Sequence, residues 1–446
     1  MYRKMTPLRN LTPVCVFLVS ANLSAFADGV YRNGASARAM SLGGADVAIA
    51  DEPLDAMHSN PAGLSLLKSP SAQAGFAGAI PAGEFSNSAN SHGDLKTGFG
   101  AFPQGAFGLP LKSGPFALGV SVIPEALLDA NWHYIDTPGG VDGNTSYGSQ
   151  QHRSAILAVR SALGASYAFS DSLSVGASVG AIYNENTLQV PYVFQSHPVL
   201  KGFKTLLDLK TDGWGINGSF GGLYRPIESV SIGASYQLRT RLSTDGNASG
   251  NIGTQLQNVG LGGARPDFHY DAQVENALPG VASVGLAWQI YPKLRSVFQV
   301  DWVNWGDAFD QLHVHLTKGN NTDINGVLGT DTIDDYVPLN WKNRFVYRTG
   351  LEYGLTDAWI LRAGYAYGQS PVPDSTLTPM TGVITEHTLT AGVGFHYGRY
   401  TIDLAYQYEL PADRHVGTSA LLSGEYSNSN TSVSIHWVGL TTGIHF

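Results

Sequence analysis

The stretch Ile402-Asp403-Leu404-Ala405-Tyr406-Gln407-Tyr408-Glu409 decides the fold. Side chains of an extended strand alternate between faces with a period of two. Ile402, Leu404, Tyr406 and Tyr408 therefore share one face, and Asp403, Gln407 and Glu409 share the other. The pattern repeats over 342–354, where Phe345, Tyr347, Leu351 and Tyr353 oppose Arg344, Arg348 and Glu352. In the last residues Val438, Leu440, Thr442, Ile444 and Phe446 lie on one side. Apolar faces this long and this aromatic need lipid outside, and the polar faces then line a lumen. Only a closed sheet satisfies its backbone hydrogen bonds in that setting.

Composition agrees. Of 446 residues only 14% are charged, where soluble proteins carry roughly 25%. Glycine is frequent, with 53 copies, aromatics reach 11%, and mean hydropathy is −0.05. No run of 18 or more apolar residues suggests a membrane helix. The net charge of −9 excludes a basic nucleic-acid binder.

Alternation organises the chain from residue 71 to 446 into fourteen strand-like runs, an even number as in bacterial barrels. Short turns alternate with long connections at 126–152, 186–212, 243–267, 317–341, 369–385 and 411–430. The fold expected is an all-β membrane protein, an antiparallel transmembrane β-barrel of about fourteen strands with an N-terminal helical hatch. Trp288, Tyr291, Trp302, Trp305, Trp341 and Trp359 fall near strand ends, where aromatic girdles mark the interfaces.

Ahead of the barrel, residues 1–27 read as a signal peptide. Arg3, Lys4 and Arg9 form a basic start, Leu11 to Leu23 a short apolar core, and Ala25-Phe26-Ala27 a cleavage site before Asp28. The single cysteine, Cys15, lies inside it and follows Val14, which is no lipoprotein signature. Residues 28–70 are small, turn-rich and helix-tolerant, and include Asn60-Pro61-Ala62-Gly63. They read as a plug.

These segments together resemble the outer-membrane long-chain fatty acid and aromatic hydrocarbon transporters of the FadL/TodX type. The resemblance rests on Asn33-Gly34-Ala35-Ser36-Ala37-Arg38-Ala39, Gly43-Gly44-Ala45, Ala50-Asp51-Glu52 and Asn60-Pro61-Ala62-Gly63-Leu64 near the N-terminus. It continues through Leu278-Pro279, Val284-Gly285-Leu286-Ala287-Trp288, Asp301-Trp302-Val303-Asn304-Trp305, Arg348-Thr349-Gly350-Leu351-Glu352-Tyr353, Leu361-Arg362-Ala363-Gly364-Tyr365-Ala366 and Ser370-Pro371-Val372-Pro373. It implies a fourteen-stranded barrel closed by its hatch, with Asn60, Pro61, Ala62 and Gly63 in the gate. It also implies a monomer in outer-membrane lipid that passes hydrophobic molecules sideways through a gap at an inward-bent third strand. Gly119 and Pro124 occupy that strand here, and Pro124 cannot donate a ladder hydrogen bond.

Two groups of residues carry the expected chemistry. Loop 186–212 is unusually apolar, and Leu200, Phe203 and Leu207 have helical spacing. With Leu206 and Leu209 they offer an exposed surface for capturing an acyl chain or hydrocarbon. By alternation Arg160, Arg239, Arg241, Arg344, Arg348 and Arg362 point into the lumen, along with Asp301, Glu352, Asp403 and Glu409. Arginine holds carboxylates bidentately, so Arg160 or Arg362 is a candidate head-group clamp. The competing reading is a salt-bridge network tying hatch to wall.

No catalytic, cofactor or metal role is expected. There is no G-x-S-x-G, Gly43-Gly44 lacks the context of a phosphate loop, and nothing near His313 and His315 in the sequence completes a ligand set. Passive uptake of hydrophobic compounds, foremost long-chain fatty acids, is the expected function. Monoaromatic or alkane cargo is the alternative, ahead of an aqueous porin or a surface receptor.

Overall fold

A computed structural model describes residues 30–111 and 114–446. The expected signal peptide and the turn residues Lys112 and Ser113 lie outside the described residues. One antiparallel sheet closes on itself as a barrel of 14 strands. They are β1 (Ser71–Ser86), β2 (Gly93–Leu95 and Gly100–Pro110), β3 (Phe116–Ile135), β4 (Ser149–Ser170), β5 (Leu173–Val193), β6 (Lys204–Ile227) and β7 (Val230–Gln237 and Thr240–Asn251). Then follow β8 (Asp267–Leu278 and Val281–Tyr291), β9 (Leu294–Val303 and Gln311–Thr317), β10 (Ile333–Pro338 and Arg344–Gly354), β11 (Trp359–Gly368), β12 (His387–Tyr397), β13 (Tyr400–Val416) and β14 (Ser429–His445). β14 pairs with β1 from Ser71↔His445 to Ser86↔Asn430, which leaves no open edge there.

The faces follow the alternation. Ile402, Leu404 and Tyr406 are exposed on the outer wall, and Asp403, Gln407 and Glu409 are buried inside. Two arginines depart from expectation. Arg239 and Arg241 are exposed, because β7 breaks after Gln237 and resumes at Thr240 with Thr240, Leu242 and Thr244 turned inward. The break resets the phase by one residue.

Breaks at matching heights cross four neighbouring strands, β7 to β10. Val281 pairs with Gln237 and with Val303, and Val303 pairs with Arg344. Through this belt a short helix, Trp305–Ala308, enters the lumen. Trp305 and Trp341 are thereby buried, not part of an interfacial girdle. Trp305 meets Trp341 edge-on at 5.1 Å, and Phe309 stacks on Trp341 at 4.5 Å.

Loop 186–212 is mostly strand. β5 runs to Val193 and β6 starts at Lys204, with Val190 paired to Leu207, so only a turn over 194–203 remains. No helix forms there.

Residues 30–70 occupy the half of the lumen nearest the short turns. They form α1 (Ala37–Ser41), α2 (Pro53–His58) and a 3-10 helix (Pro61–Leu66). Ser36 caps α1 by accepting from the Ala39 amide, and Asn60 caps the 3-10 helix by accepting from Ala62. Wall glycines permit their close approach. A Cβ at Gly176 would lie 2.4 Å from the Ala62 nitrogen, and one at Gly221 only 2.0 Å from the Asn60 carboxamide oxygen.

Candidate functional site: two apolar chambers and a break in the wall

The long-loop half of the lumen contains two apolar chambers that share Leu188, Leu312 and Val314. The outer one lies between Tyr192, Phe194, Leu200, Leu207, Phe268, Tyr270, Leu316 and Ile333. The inner one is bounded by Val30, Leu128, Ile156, Leu209, Val274, Phe309 and Trp341. Their walls come from β3 to β6 and β8 to β10, with Val30 and with Thr381 of a loop that folds inward from the long-loop end. Trp132 donates to the carbonyl of Pro379 in that loop at 3.0 Å.

Charge is scarce in both chambers. Among the described residues only Asp335 lines the outer one and no ionisable side chain lines the inner one. The Asp335 carboxylate is fully engaged. It accepts from the amides of Gln195, Ser196 and His197, from the Ser196 hydroxyl and from Tyr192. These donors fix the turn over 194–203 against β10.

Leu200, Leu207 and Leu209 are buried chamber-wall residues, not the exposed capture surface expected from the sequence. Phe203 is half-buried against the same cluster. Leu206 sits on the opposite face of β6 from Leu207 and reaches neither chamber. Alternation in a paired strand, and not helical spacing, sorts these residues.

The arginines lie elsewhere. Arg362 bonds Glu352 at 2.7 Å and Asp403 at 2.6 Å, while Arg38 of α1 reaches the same Glu352 at 3.3 Å. Arg348 holds Asp301 at 2.6 Å, the Gly43 carbonyl at 2.9 Å and the Asn33 carboxamide. Arg160 donates to the Met57 carbonyl at 3.2 Å and to Ser178. All three tie the wall to residues 30–70 or to neighbouring carboxylates. Neither Arg160 nor Arg362 lines an apolar chamber; Arg362 borders a polar cavity at the short-turn end together with Arg38, Arg295, Glu352 and Asp403.

Below the inner chamber stands an aromatic partition. Tyr31 packs on Trp305 at 5.5 Å and donates to the Pro279 carbonyl at 3.0 Å. On its other side is a polar cavity bordered by Arg32, Asp46, His58, Glu125, Asp301 and Arg348.

The wall itself is interrupted beside the inner chamber. β2 pairs with β3 from Gly105↔Val122 to Pro110↔Ala117, and again only at Asp94↔His133 and Leu95↔Trp132. Between these ladders residues 123–128 of β3 have no β2 partner, while Lys96 and Thr97, between the two segments of β2, still donate to the carbonyls of Asn131 at 2.7 Å and Asp129 at 2.8 Å. Pro103 and Pro124 flank the point where pairing stops, and neither has an N–H to offer. A bulge lies between Pro124 and Ala126, and it turns Glu125 inward, 3.8 Å from His58. Every side chain from Ile123 to Ala130 is buried, so the strand leaves the wall surface here. Residues 30–70 meet it: the Leu127 amide donates to the Val30 carbonyl at 3.0 Å, and Tyr31 bridges Ala126. Gly119 is not at the interruption. It sits in the paired ladder, where a Cβ would come within 2.5 Å of the Met57 sulfur.

At the long-loop end, loops are pinned by buried polar contacts. Lys204 holds Asp136 and the Thr137 carbonyl, and His152 lies 3.2 Å from Glu425 under the ring of Tyr134. Burial pushes the Asp136 carboxyl above its usual range, opposed by the Lys204 ammonium.

A FadL homologue from Pseudomonas aeruginosa superposes with a TM-score of 0.75 at 16% identity, covering 94% of this chain and 100% of that one. The toluene transporter TbuX of Ralstonia pickettii gives 0.71 at 20% identity, over 93% and 99%. The toluene transporter TodX of Pseudomonas putida gives 0.71 at 20%, over 95% and 100%. No similar sequence was found among curated proteins. The model of the outer membrane protein transport protein family (OMPP1/FadL/TodX) matches residues 18–446. With the closed barrel, that places the protein in the bacterial outer membrane as a transport protein for hydrophobic compounds and not an enzyme, and the chain belongs to the OMPP1/FadL/TodX family.

Proposed function

We propose that the protein is a passive channel for neutral hydrophobic compounds such as monoaromatic hydrocarbons. Cargo enters the outer chamber from the long-loop end, passes Leu188 and Val314 into the inner chamber, and leaves sideways into the bilayer where β2 and β3 are unpaired. Residues 28–70 act as the hatch that denies it a straight aqueous route, with Asn60-Pro61-Ala62-Gly63 holding the hatch against β5 and β6.

One observation carries the cargo class: among the described residues no basic side chain lines either chamber. A fatty acid carboxylate placed there without a charged partner would lose its hydration uncompensated. A hydrocarbon has nothing to lose, and each buried methylene gains about 0.8 kcal/mol. Two of the similar solved structures are toluene transporters, in line with this reading.

The test is uptake of radiolabelled toluene and oleate by cells lacking other such channels, with and without this protein. Toluene uptake should rise and oleate uptake should not. Equal stimulation of both would return the cargo to the fatty acid class.

A further inference from the structure

We propose that His313, His315 and Asp334 form a binding site for a divalent transition-metal ion of the zinc class on the outer face of the wall, with Glu275 as the orienting carboxylate. The distal part of β9, Gln311–Thr317, turns Leu312, Val314 and Leu316 to the outer chamber. Period two then sends His313 and His315 to the opposite, outward face. Register supplies the carboxylates: Asp334 of β10 pairs directly with His315, and Glu275 of β8 pairs directly with His313.

The distances converge on one point. His313 Nε2 lies 3.0 Å and His315 Nδ1 2.7 Å from the same oxygen, Asp334 Oδ1, and all three ligand atoms lie within 4.8 Å of one another. Two imidazole nitrogens and one carboxylate are a donor set for zinc, nickel or copper, whereas calcium and magnesium take oxygen. Three protein ligands leave a fourth position for water.

Tautomers explain Glu275. Metal binding requires bare His313 Nε2 and His315 Nδ1, so each ring carries its proton on the other nitrogen. On His313 that nitrogen is Nδ1, 3.8 Å from Glu275 Oε2. At that distance Glu275 is an ion-pair neighbour and not a hydrogen-bond acceptor; a side-chain rotation would let it receive that N–H, as a carboxylate commonly does for a metal-bound histidine. Tyr336 stacks on His313 at 4.4 Å with planes 7° apart, which holds the ring in that plane. The bland alternative is two rim histidines sharing a hydrogen bond to one aspartate. It accounts for Asp334 but gives no role to Glu275. Bound there, the ion would clamp β8, β9 and β10 beyond their breaks, across the back of the outer-chamber wall.

Zinc titration of tag-free protein in detergent, followed by calorimetry, tests the site, because a polyhistidine tag would compete. One saturable site is expected, unaffected by millimolar calcium. His313→Asn and His315→Asn should each weaken it at least tenfold, and the double variant should abolish it. Glu275→Gln should weaken it about tenfold without removing it. Cobalt should give the visible bands of four-coordinate geometry in wild type alone. Heat-modifiable mobility of each variant confirms that the barrel is folded. No saturable zinc binding in wild type, or equal binding in the folded double variant, would overturn the proposal.

Discussion

In the short-turn half of the lumen Arg348, Arg362 and Arg38 meet Asp301, Asp403 and Glu352, among short helices and polar cavities. In the long-loop half Leu209, Val274, Val314 and Phe309 enclose open volume with no ionisable side chain at the inner chamber. One barrel thus lines half its lumen with matched charge and the other half with apolar side chains. The comparison teaches that inward charge here is structural cement, and the proposed cargo route runs where charge is missing. Buried ion pairs lose badly when one partner goes, while an apolar cavity loses only contact area.

The largest break in that comparison is removal of the filling. Deleting residues 28–66 should leave a closed barrel, since β1 and β14 still pair, but single-channel conductance in planar bilayers should rise severalfold. Conductance at the wild-type level would show that these residues do not obstruct the lumen. Next, Arg362→Met leaves Glu352 and Asp403 short of a partner in the buried network. A loss of about 3–5 kcal/mol is expected for such a break, readable as a shifted urea midpoint of vesicle-embedded protein. Hydrocarbon and fatty acid transport should then fall together; a loss confined to fatty acids would restore Arg362 as a head-group clamp.

Deletion of Glu125 removes the bulge and lets β3 run in register with β4. Uptake should drop about tenfold while equilibrium binding of toluene to purified protein persists, with Glu125→Gln as the control for charge alone. Undiminished uptake in the deletion would argue against sideways exit at this strand. The finest discrimination is between neighbours. Leu207→Ser removes a buried chamber side chain worth roughly 1.5–3 kcal/mol, so binding should weaken about tenfold or more. Leu206→Ser, on the other face, should leave binding within error. Equal effects would mean that the chamber walls are misassigned.

The strands were legible because lipid and lumen impose opposite polarity on alternate residues, as at Ile402 to Glu409. What escaped was the height at which that polarity inverts. At Leu312 to Leu316 the apolar residues face in and His313 and His315 face out; the same holds for Val274 against Glu275, and for Leu207 and Leu209 against Asp208 and Lys210. That inversion marks the chambers, and reading 186–212 as loop concealed it. Arg241 faces outward because the break after Gln237 shifts the phase, which no single window around Arg241 shows. Trp305 and Trp341 lie near strand ends as expected, yet the belt of breaks carries them inside. Asp334 completes a triad with His313 and His315 only through pairing of β9 with β10, a contact the linear spacing does not contain.

The bond from the Leu127 amide to the Val30 carbonyl has a consequence for assembly. A stretch of the third strand lacks a sheet neighbour, and a residue near the chain's N-terminus supplies one of its backbone partners. Seating the N-terminal segment therefore covers an amide that barrel closure alone leaves open: a barrel that closed first would hold the Leu127 N–H unpaired on that side of the strand. Deuterium exchange at Leu127 becomes a clock for that event, slow once the segment is seated and fast in any intermediate that has closed without it.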